Sequence, residues 1–350
     1  MTSGKNKLVK EYFGIAFSVG LAVVFIFFAF RGVNYNELLN SLKNISLFWF
    51  VVLLVSTMFS HWLRALRWKL MLKSIKKDIT VSHTFASVMI GYGINNIVPR
   101  FGEVSRAVFL GQFEGISRIS VLGSIVVERI MDTIFFGLAV VISGYIYAAN
   151  LDSKFGWLKL SVLIGAIGVA VLVIFLLLLI KKEQYIVPKL SRILEKLSPK
   201  FASKIEALLS KLVSGFKCFS TFQDFAISVV LGVLIMLNYA LSTLIGFYML
   251  GIPSEFVVNY GVAWVTMSIS AIGVMIPTPG GLGSYHTITK SVLHDMYNLS
   301  NSYGISYALV THGIGYFFNI LIAAGYLIAF RKKYGGLKLT KMFSEAEEEI

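Results

Sequence analysis

Cysteine and charged side chains are both scarce in this chain of 350 residues. Its one cysteine, Cys218, excludes an internal disulfide framework and a cysteine-based metal site. Only 14% of the residues are charged, whereas a soluble domain carries roughly 25%. Hydrophobic residues make up 56% of the chain, and several apolar runs reach the ~20 residues needed to cross a bilayer. The composition therefore predicts an all-α, polytopic transmembrane helical bundle.

The formal net charge of +14 is distributed as in a membrane protein rather than a nucleic-acid-binding protein. Lysine and arginine collect beside the apolar runs, as the positive-inside rule predicts. We therefore expect these basic clusters, and with them both chain termini, to face the cytoplasm from a plasma (inner) membrane. The clusters lie at 5–10, 64–77, 181–217 and 331–341.

Counting crossings between the basic clusters gives an expected topology. The candidate membrane segments are 13–30, 45–63, 81–98, 121–149, 157–180, 225–250, 256–276, 282–299 and 303–330. An even number of crossings must separate successive cytoplasmic clusters. We therefore expect 81–98 to dip in and return or to pair with the next half-helix, and 282–299 to cross while shielded by protein. The total is seven to nine membrane segments, with re-entrant or broken helices.

The chain is predicted to form a single integral membrane domain over 1–340, followed by an acidic tail at 341–350. Within it, 181–223 is predicted to be a cytoplasmic basic insert with apolar residues at helical spacing. Pro199 is expected to split this insert into two helices. An amphipathic basic helix beside a membrane favours the anionic leaflet surface, and a partner-binding role is the alternative.

Two stretches rich in helix breakers interrupt the apolar sequence, one around Pro99 and one over 277–283. Lipid offers no hydrogen bonds to a broken backbone, so such chain must be buried in protein or line a wet cavity. Paired interrupted segments in two halves of a chain point to a transporter-like site and to a possible internal pseudo-repeat.

The first interrupted region carries the charged residues. Glu128 and Asp132 are four residues apart and share a helix face, and Arg129 can pair with Asp132 along it. Ionisable residues within a spanning helix mark a functional site by default, although an ion-pair network that only locks helices together is the alternative. Arg100 and Arg106 leave positive charge uncancelled, and arginine suits bidentate contact with phosphate. An anionic headgroup is the expected ligand.

The second interrupted region supplies backbone rather than charge. The glycine-rich turn over 277–283 opens a helix, whose first N–H groups favour an anion. No Walker lysine follows, which excludes a P-loop. His286 and His294 lie on the next helix without a third ligand at metal spacing. We therefore predict no metal and no cofactor.

These stretches carry a family resemblance. The run NNIVPRFGEVSRAVFL, the later ERIMD and the still later IPTPGGLGSYH resemble the lysylphosphatidylglycerol synthase transmembrane region, or flippase-like domain, over about residues 10–332. This is the membrane half of the multiple peptide resistance factor proteins, and it also occurs as stand-alone chains. The resemblance implies a substrate-binding set of Asn96, Pro99, Arg100, Glu103, Arg106, Glu128, Arg129, Asp132, Pro279, Gly280, Gly281 and Gly283, with Gly102 also matching the pattern.

What the resemblance implies is a flippase for a polar-headed lipid, anionic or aminoacylated, or for a lipid-linked glycan. The synthase proteins follow this region with a soluble aminoacyl-transferase domain, whereas this chain stops at Ile350. We therefore expect no enzymatic activity and a possible separate lipid-modifying enzyme as partner. The alternatives are a membrane-embedded glycosyl- or headgroup-transferase, for which no Asp-x-Asp motif is present, and a non-catalytic membrane scaffold.

Overall fold

The computed structural model describes residues 17–98, 101–149, 182–195, 219–253 and 256–334, with isolated residues between 167 and 209. Every regular element in these ranges is a helix. The all-α class is confirmed. The predictions for 157–166, for the tail at 341–350 and for Pro99 and Arg100 lie outside the described residues.

Eleven helices are named here in chain order, with a short 3-10 turn at Pro279–Gly281 and a π-helical turn at Val292–Met296. They are α1 Phe17–Phe30, α2 Tyr35–Lys43, α3 Leu47–Leu72, α4 Val81–Ile97, α5 Phe101–Glu114, α6 Arg118–Ala149, α7 Glu183–Glu195, α8 Phe222–Leu250, α9 Tyr260–Met275, α10 Ser284–Ser291 and α11 Asn301–Tyr334.

Three described helices are long and apolar enough to cross a membrane: α3, α8 and α11. A fourth span is possible if α1 and α2, which meet at an angle of 93°, form one broken crossing. The helical membrane bundle with a broken pair is thus confirmed. The total of seven to nine membrane segments stays a prediction.

Helices α4 and α5 form a helical hairpin, which matches the alternative in which 81–98 pairs with the next half-helix. At its tip, the α5 residue Gly102 lies so close to α4 that a Cβ atom would sit 2.2 Å from the carbonyl oxygen of Gly91. At its base, His83 Nδ1 lies 2.7 Å from Glu114 Oε1. The two helices therefore run antiparallel.

Helices α9 and α10 form a second hairpin, and the expected crossing over 282–299 stays a prediction. The Ser284 hydroxyl donates to the Gly273 carbonyl at 2.6 Å, and a Cβ on Gly273 would lie 2.7 Å from the Cα of Tyr285. Helix α9 has 16 residues, or about 24 Å at 1.5 Å per residue, which is shorter than the ~30 Å hydrocarbon core. The proline-glycine turn therefore folds both segments back on each other.

Contacts within the chain define two compact units, each described here by itself. The first contains the described residues of Met1–Ser60, Met89–Ser105 and Leu237–Gly335. Its core joins the end of α8 to α9 and α11, where the Phe247 and Tyr307 rings stack with centroids 4.6 Å apart. Polar bonds reinforce the helix packing, for example from Asn238 Nδ2 to the Ser60 hydroxyl at 2.6 Å. Such bonds between helices suit an apolar surrounding.

The second unit contains the described residues of His61–Val88 and Arg106–Met236. Helix α8 approaches α6 closely, because a Cβ on Gly232 would sit 2.1 Å from the Phe135 ring. Helix α3 is tied to α6 by the Trp68 indole, which donates to the Ser124 hydroxyl at 2.9 Å.

The basic insert also belongs to the second unit. Ser198 is outside any helix and helical structure resumes at Pro199, so the predicted break is confirmed at this point. Part of the apolar face packs within the protein: Val187 forms a buried cluster with Leu179 and Leu209. The surface-lying position on an anionic leaflet stays a prediction.

Candidate functional site

An arginine cluster is buried in the second unit. Glu128, on α6, is fully buried, and its Oε1 atom lies 3.3 Å from Arg64 and 3.6 Å from Arg67 of α3. Its Oε2 atom accepts from Arg106 of α5 at 2.6 Å. Arg129 of α6 also donates to Oε1, at 3.0 Å. One carboxylate thus collects four guanidinium groups from three helices.

Asp132 is the second carboxylate of the cluster, one helical turn beyond Glu128. It forms close ion pairs with Arg64 and Arg67 and a further one of 3.1 Å with Arg129. The predicted pairing of Arg129 with Asp132, and the shared face of the two carboxylates, are therefore confirmed. Among the described residues of this cluster, four positive charges face two negative charges, so its net charge is +2.

Some arginine donors of the cluster have no acceptor. The Nε and Nη1 atoms of Arg67 and the Nε atom of Arg106 are buried and make no hydrogen bond to the part of the chain that the structure describes. The Arg106 guanidinium stacks instead on the Trp68 ring, 4.1 Å from its centroid. A buried donor without a partner costs about 1–3 kcal/mol. The cluster therefore favours an incoming oxygen ligand.

The tips of the two hairpins meet at Tyr316 in the first unit. Asn96 Nδ2 donates to the Tyr316 carbonyl at 2.9 Å, and the Tyr316 hydroxyl donates to the Asn96 carbonyl at 2.6 Å. At the second tip, a Cβ on Gly280 would lie 2.6 Å from the Tyr316 ring. One tyrosine thus satisfies broken backbone from the first hairpin and packs on the turn of the second.

The geometry of each hairpin tip explains why these residue types occur there. Asn95 caps α5: its Oδ1 atom accepts from the Gly102 N–H at 2.6 Å, and its Nδ2 atom donates to Glu103 at 3.4 Å. In the second tip, Gly280 and Gly281 have φ of +58° and +74°, a region that L side chains rarely adopt. The sequence motifs therefore build the turns.

Gly283, the last glycine of the second motif, allows a close approach to α1. Its φ is +79°, and a Cβ there would lie 2.7 Å from the Ala22 carbonyl oxygen and 2.8 Å from the Ile26 nitrogen. A little further on, Lys290 Nζ donates to the carbonyls of Phe28 and Arg31 at 2.8 and 3.0 Å. The end of α1 is thereby fastened to α10.

Two histidines lie beside the second tip. The His286 and His312 rings have centroids 5.0 Å apart, and a backbone hydrogen bond joins His312 to Gly280. The described residues contain no group of three or more His, Cys, Asp or Glu that could hold a metal ion. The prediction that the chain needs no metal is not tested by this finding.

A second polar cluster closes the base of the α4–α5 hairpin. Glu114 accepts from Lys76 Nζ at 2.7 Å and from the Thr80 backbone N–H at 3.1 Å. The His83 ring, which is also bonded to Glu114, stacks on Phe113 with centroids 5.0 Å apart. This cluster holds the start of α4 and the end of α5 together at the base of the hairpin.

The residues predicted as a substrate site fall into two groups. Arg106, Glu128, Arg129 and Asp132 come together in the arginine cluster of the second unit. The first unit holds Asn96 and Glu103 at the first tip and Pro279, Gly280, Gly281 and Gly283 at the second. Pro99 and Arg100 lie outside the described residues. That these residues bind a substrate stays a prediction.

Sequence reasoning missed three important residues. Arg64 and Arg67 were assigned to a cytoplasmic basic cluster, yet both are buried, with Arg67 fully inaccessible. Their spacing of three residues, with Trp68 adjoining, puts them on one helix face and is a signal that could have separated them from the exposed lysines. Tyr316 lies 220 positions from Asn96, and no local pattern indicates its role.

Comparison with known proteins identifies a family and two relatives to which this chain is similar. The family model of the lysylphosphatidylglycerol synthase TM region matches residues 14–323. A UPF0104 membrane protein of Methanothermobacter thermautotrophicus is 30% identical over 124 residues, covering 34% of this chain and 36% of the relative. Another of that name, from Methanocaldococcus jannaschii, is 35% identical over 83 residues, covering 23% of this chain and 25% of the relative. The matches thus span about a third or less of these curated relatives. No solved structure matches significantly.

Proposed function

Because the chain belongs to the family of the lysylphosphatidylglycerol synthase TM region, we propose that it is a flippase, which moves a polar-headed lipid or lipid-linked glycan between leaflets without changing it covalently. The observation that carries the proposal is the arginine cluster, whose positive charge exceeds its negative charge by two among the described residues. The charged headgroup would bind to the arginines while its acyl chains stay in lipid.

The chemistry of the cluster supports a phosphate-containing headgroup. Arginine presents a planar fork of donors that matches two phosphate oxygens at once. Arg67 has two buried nitrogen atoms and Arg106 one that have no acceptor in the described chain. Glu128 and Asp132 hold the guanidinium groups in place, so that the donors are oriented before a ligand arrives.

The two hairpins support transport rather than simple binding. Non-helical backbone at membrane depth is found where it lines a cavity or is buried in protein, and paired broken segments mark the substrate path in many transporters. Here one residue, Tyr316, contacts both hairpin tips: it is hydrogen-bonded to Asn96 in the first and its ring packs against Gly280 in the second. A small rearrangement of that side chain would release both tips.

A scaffold role without transport fits the arginine cluster less well. A buried ion-pair network contributes little net stability compared with apolar side chains of the same volume. Three of the four arginines, Arg64, Arg67 and Arg106, are buried against only two carboxylates, and this imbalance would reduce stability further. We therefore favour a ligand for the cluster over a purely structural role.

The test is a leaflet-exchange assay in reconstituted liposomes. Purified protein would be placed in phosphatidylcholine liposomes that carry fluorescently tagged phosphatidic acid or phosphatidylglycerol, and dithionite would quench the outer-leaflet probe. We expect quenching to proceed beyond the outer leaflet with the wild-type protein and to slow at least about tenfold with Arg129→Ala, since one bidentate contact is lost.

The matched control is Lys69→Ala, which removes a half-buried cation from α3 outside the arginine cluster. This variant should exchange lipid as fast as the wild type. An Arg129→Ala protein that is folded and exchanges both lipids at the wild-type rate would sink the proposal. Turnover of a nucleotide-sugar donor into a lipid product would instead favour the transferase alternative.

A further inference from the structure

Two imidazole rings hold the turn of the second hairpin tip, one at each end. His286 of α10 accepts the Gly283 backbone N–H on its Nδ1 atom at 3.3 Å. His312 of α11 donates to the Gly280 carbonyl, and the two ring centroids lie 5.0 Å apart. The glycine-rich turn is therefore closed by a pair of histidines that lie side by side.

A proton would affect these two hydrogen bonds differently. The Gly283 N–H can only donate, so His286 Nδ1 must offer a lone pair, and a proton on this atom would break the bond. The His312 ring already donates to a carbonyl, and a protonated imidazole donates as well. His286 is therefore the residue at which a proton would open the turn, whereas His312 can anchor the other end in either charge state.

The surroundings of the pair do not favour a positive charge while the tip is closed. His286 is only 6% exposed, and the helices α1 and α9 that pack beside it contain no charged side chain. Helix α10 contributes Tyr285 and Lys290, whose ammonium group is held by α1 carbonyls, and α11 contributes tyrosines such as Tyr316. Glu103 is bonded within the first tip. A charged His286 would therefore have no carboxylate partner among the described residues of these elements.

We propose that the second hairpin tip is a proton-binding site, in which the closed turn requires a neutral His286 and the open turn binds a proton on that ring. An imidazole in water takes up a proton near pH 6.5. The stability of the closed turn is therefore fully present above about pH 6.5 and is lost as the pH falls below it. For a ring that stays neutral when closed, one proton raises the open fraction about thirtyfold between pH 7.5 and pH 5.

Hydrogen exchange of the full chain in detergent, corrected for intrinsic rates, tests the proton site. The backbone amides of 283–287 should lose protection at least about tenfold from pH 7.5 to pH 5. The amides of 245–250, in the core of the first unit, should keep their protection. Equal protection of 283–287 at the two pH values would overturn the inference. A parallel loss at 245–250 would overturn it too, because the whole unit rather than the tip would then respond to acid.

Three substitutions separate the charge of the ring from its hydrogen bond. Glutamine commonly bonds back to the start of a helix from its third position, so His286→Gln should keep the turn closed at both pH values. His286→Leu removes the acceptor and should leave the turn poorly protected at both. His312→Gln keeps a donor and should retain the wild-type pH dependence. A His286→Gln protein with the pH dependence of the wild type would show that the proton binds elsewhere.

His83→Gln is the matched control, because it removes an imidazole from the base of the other hairpin. This variant should keep the wild-type pH dependence at 283–287.

The consequence for transport rests on the proposed function, in which the tips separate. Leaflet exchange of tagged short-chain phosphatidylglycerol, whose phosphodiester keeps one charge over this range, can be followed by extraction with albumin. Exchange should be faster at pH 5 than at pH 7.5 in the wild type but not in His286→Gln. Protection that depends on pH without any leaflet exchange would count against the proposed function alone. Leaflet exchange with protection that does not depend on pH would count against this inference alone.

Discussion

Glu114 shows how one residue can tie a local structure to pH. Burial alone would raise the pKa of this carboxyl, but hydrogen bonds from Lys76, His83 and the Thr80 backbone lower the pKa from its ordinary value of 4.5 to about 2. The folded protein therefore binds the proton less tightly than the unfolded chain does. The resulting stability is fully present above pH 4.5 and is lost as the pH falls from 4.5 towards 2.

We predict that the base of the α4–α5 hairpin opens in this acid range. Glu114→Gln should remove most of that pH dependence, because the amide does not titrate, and should lower stability at pH 7 since the Lys76 ion pair is lost. Hydrogen exchange of the backbone around residues 80–84, measured from pH 5 to pH 2.5 after correction for intrinsic rates, would check this.

Asp78→Asn is the matched control for Glu114→Gln. Asp78 lies in the same connection between α3 and α4 but is exposed, so this variant should keep the wild-type pH dependence. The same pH dependence in Glu114→Gln as in the wild type would show that another group controls the hairpin base.

The sequence allowed four of the six residues of the arginine cluster to be predicted. Glu128, Arg129 and Asp132 interrupt an apolar helix, where charge stands out against its neighbours. Arg64 and Arg67 lie at the basic end of α3, where the positive-inside rule gave a sufficient explanation for them. Only their contacts with α6 show that they point inward, and those contacts join residues more than 60 positions apart.

At the scale of elements, the helix breakers marked both interrupted regions but did not indicate how the helices beside them end and pack. Proline removes a backbone donor and ends a helix, and α4 ends at Ile97, two residues before Pro99 in the sequence. The segment 282–299 was expected to cross the membrane while shielded by protein, because an even number of crossings had to separate the basic clusters on either side of it. In the structure α10 is short and passes into a π-helical turn, and no periodicity of the sequence indicates that change.

Gly283 permits close packing of the second hairpin tip against the α1 backbone and provides an element-scale prediction. Gly283→Ala must place a methyl group against the α1 backbone, in a left-handed conformation that itself costs about 1–2 kcal/mol for an L residue. We expect the free energy of unfolding to fall by at least about 2 kcal/mol. Thermal unfolding in detergent, followed by circular dichroism, measures this change.

Gly313→Ala is the matched control, because a Cβ at this α11 position meets nothing within 4 Å. Alanine favours a helix over glycine by up to about 1 kcal/mol, so this variant should be as stable as the wild type or slightly more stable. If Gly283→Ala unfolded at the same temperature as Gly313→Ala, α10 would not be packed against α1 as described.

At the scale of the whole molecule, long-range contacts show which residues meet in the fold, and local sequence patterns do not indicate this. Membership of the family explains why two broken segments and a set of charged residues occur in one chain. It does not explain which side chain holds the tips, because Tyr316 lies in an apolar helix and carries no motif. The Asn96 amide and carbonyl both bond to that residue, so Tyr316 joins the first hairpin tip to α11 within the first unit.

We predict that Tyr316→Phe loosens the hairpin tips without unfolding the protein. The variant keeps the ring that packs on Gly280 but loses the hydroxyl that donates to the Asn96 carbonyl. A net hydrogen bond contributes about 1 kcal/mol, so hydrogen exchange around residues 94–98 should become about fivefold faster. Tyr145→Phe, at an exposed position of α6, should leave that exchange unchanged. In the proposed transport the tips separate, so Tyr316→Phe should also speed leaflet exchange. A folded variant with wild-type values in both measurements would show that the Tyr316 hydroxyl does not hold the tips.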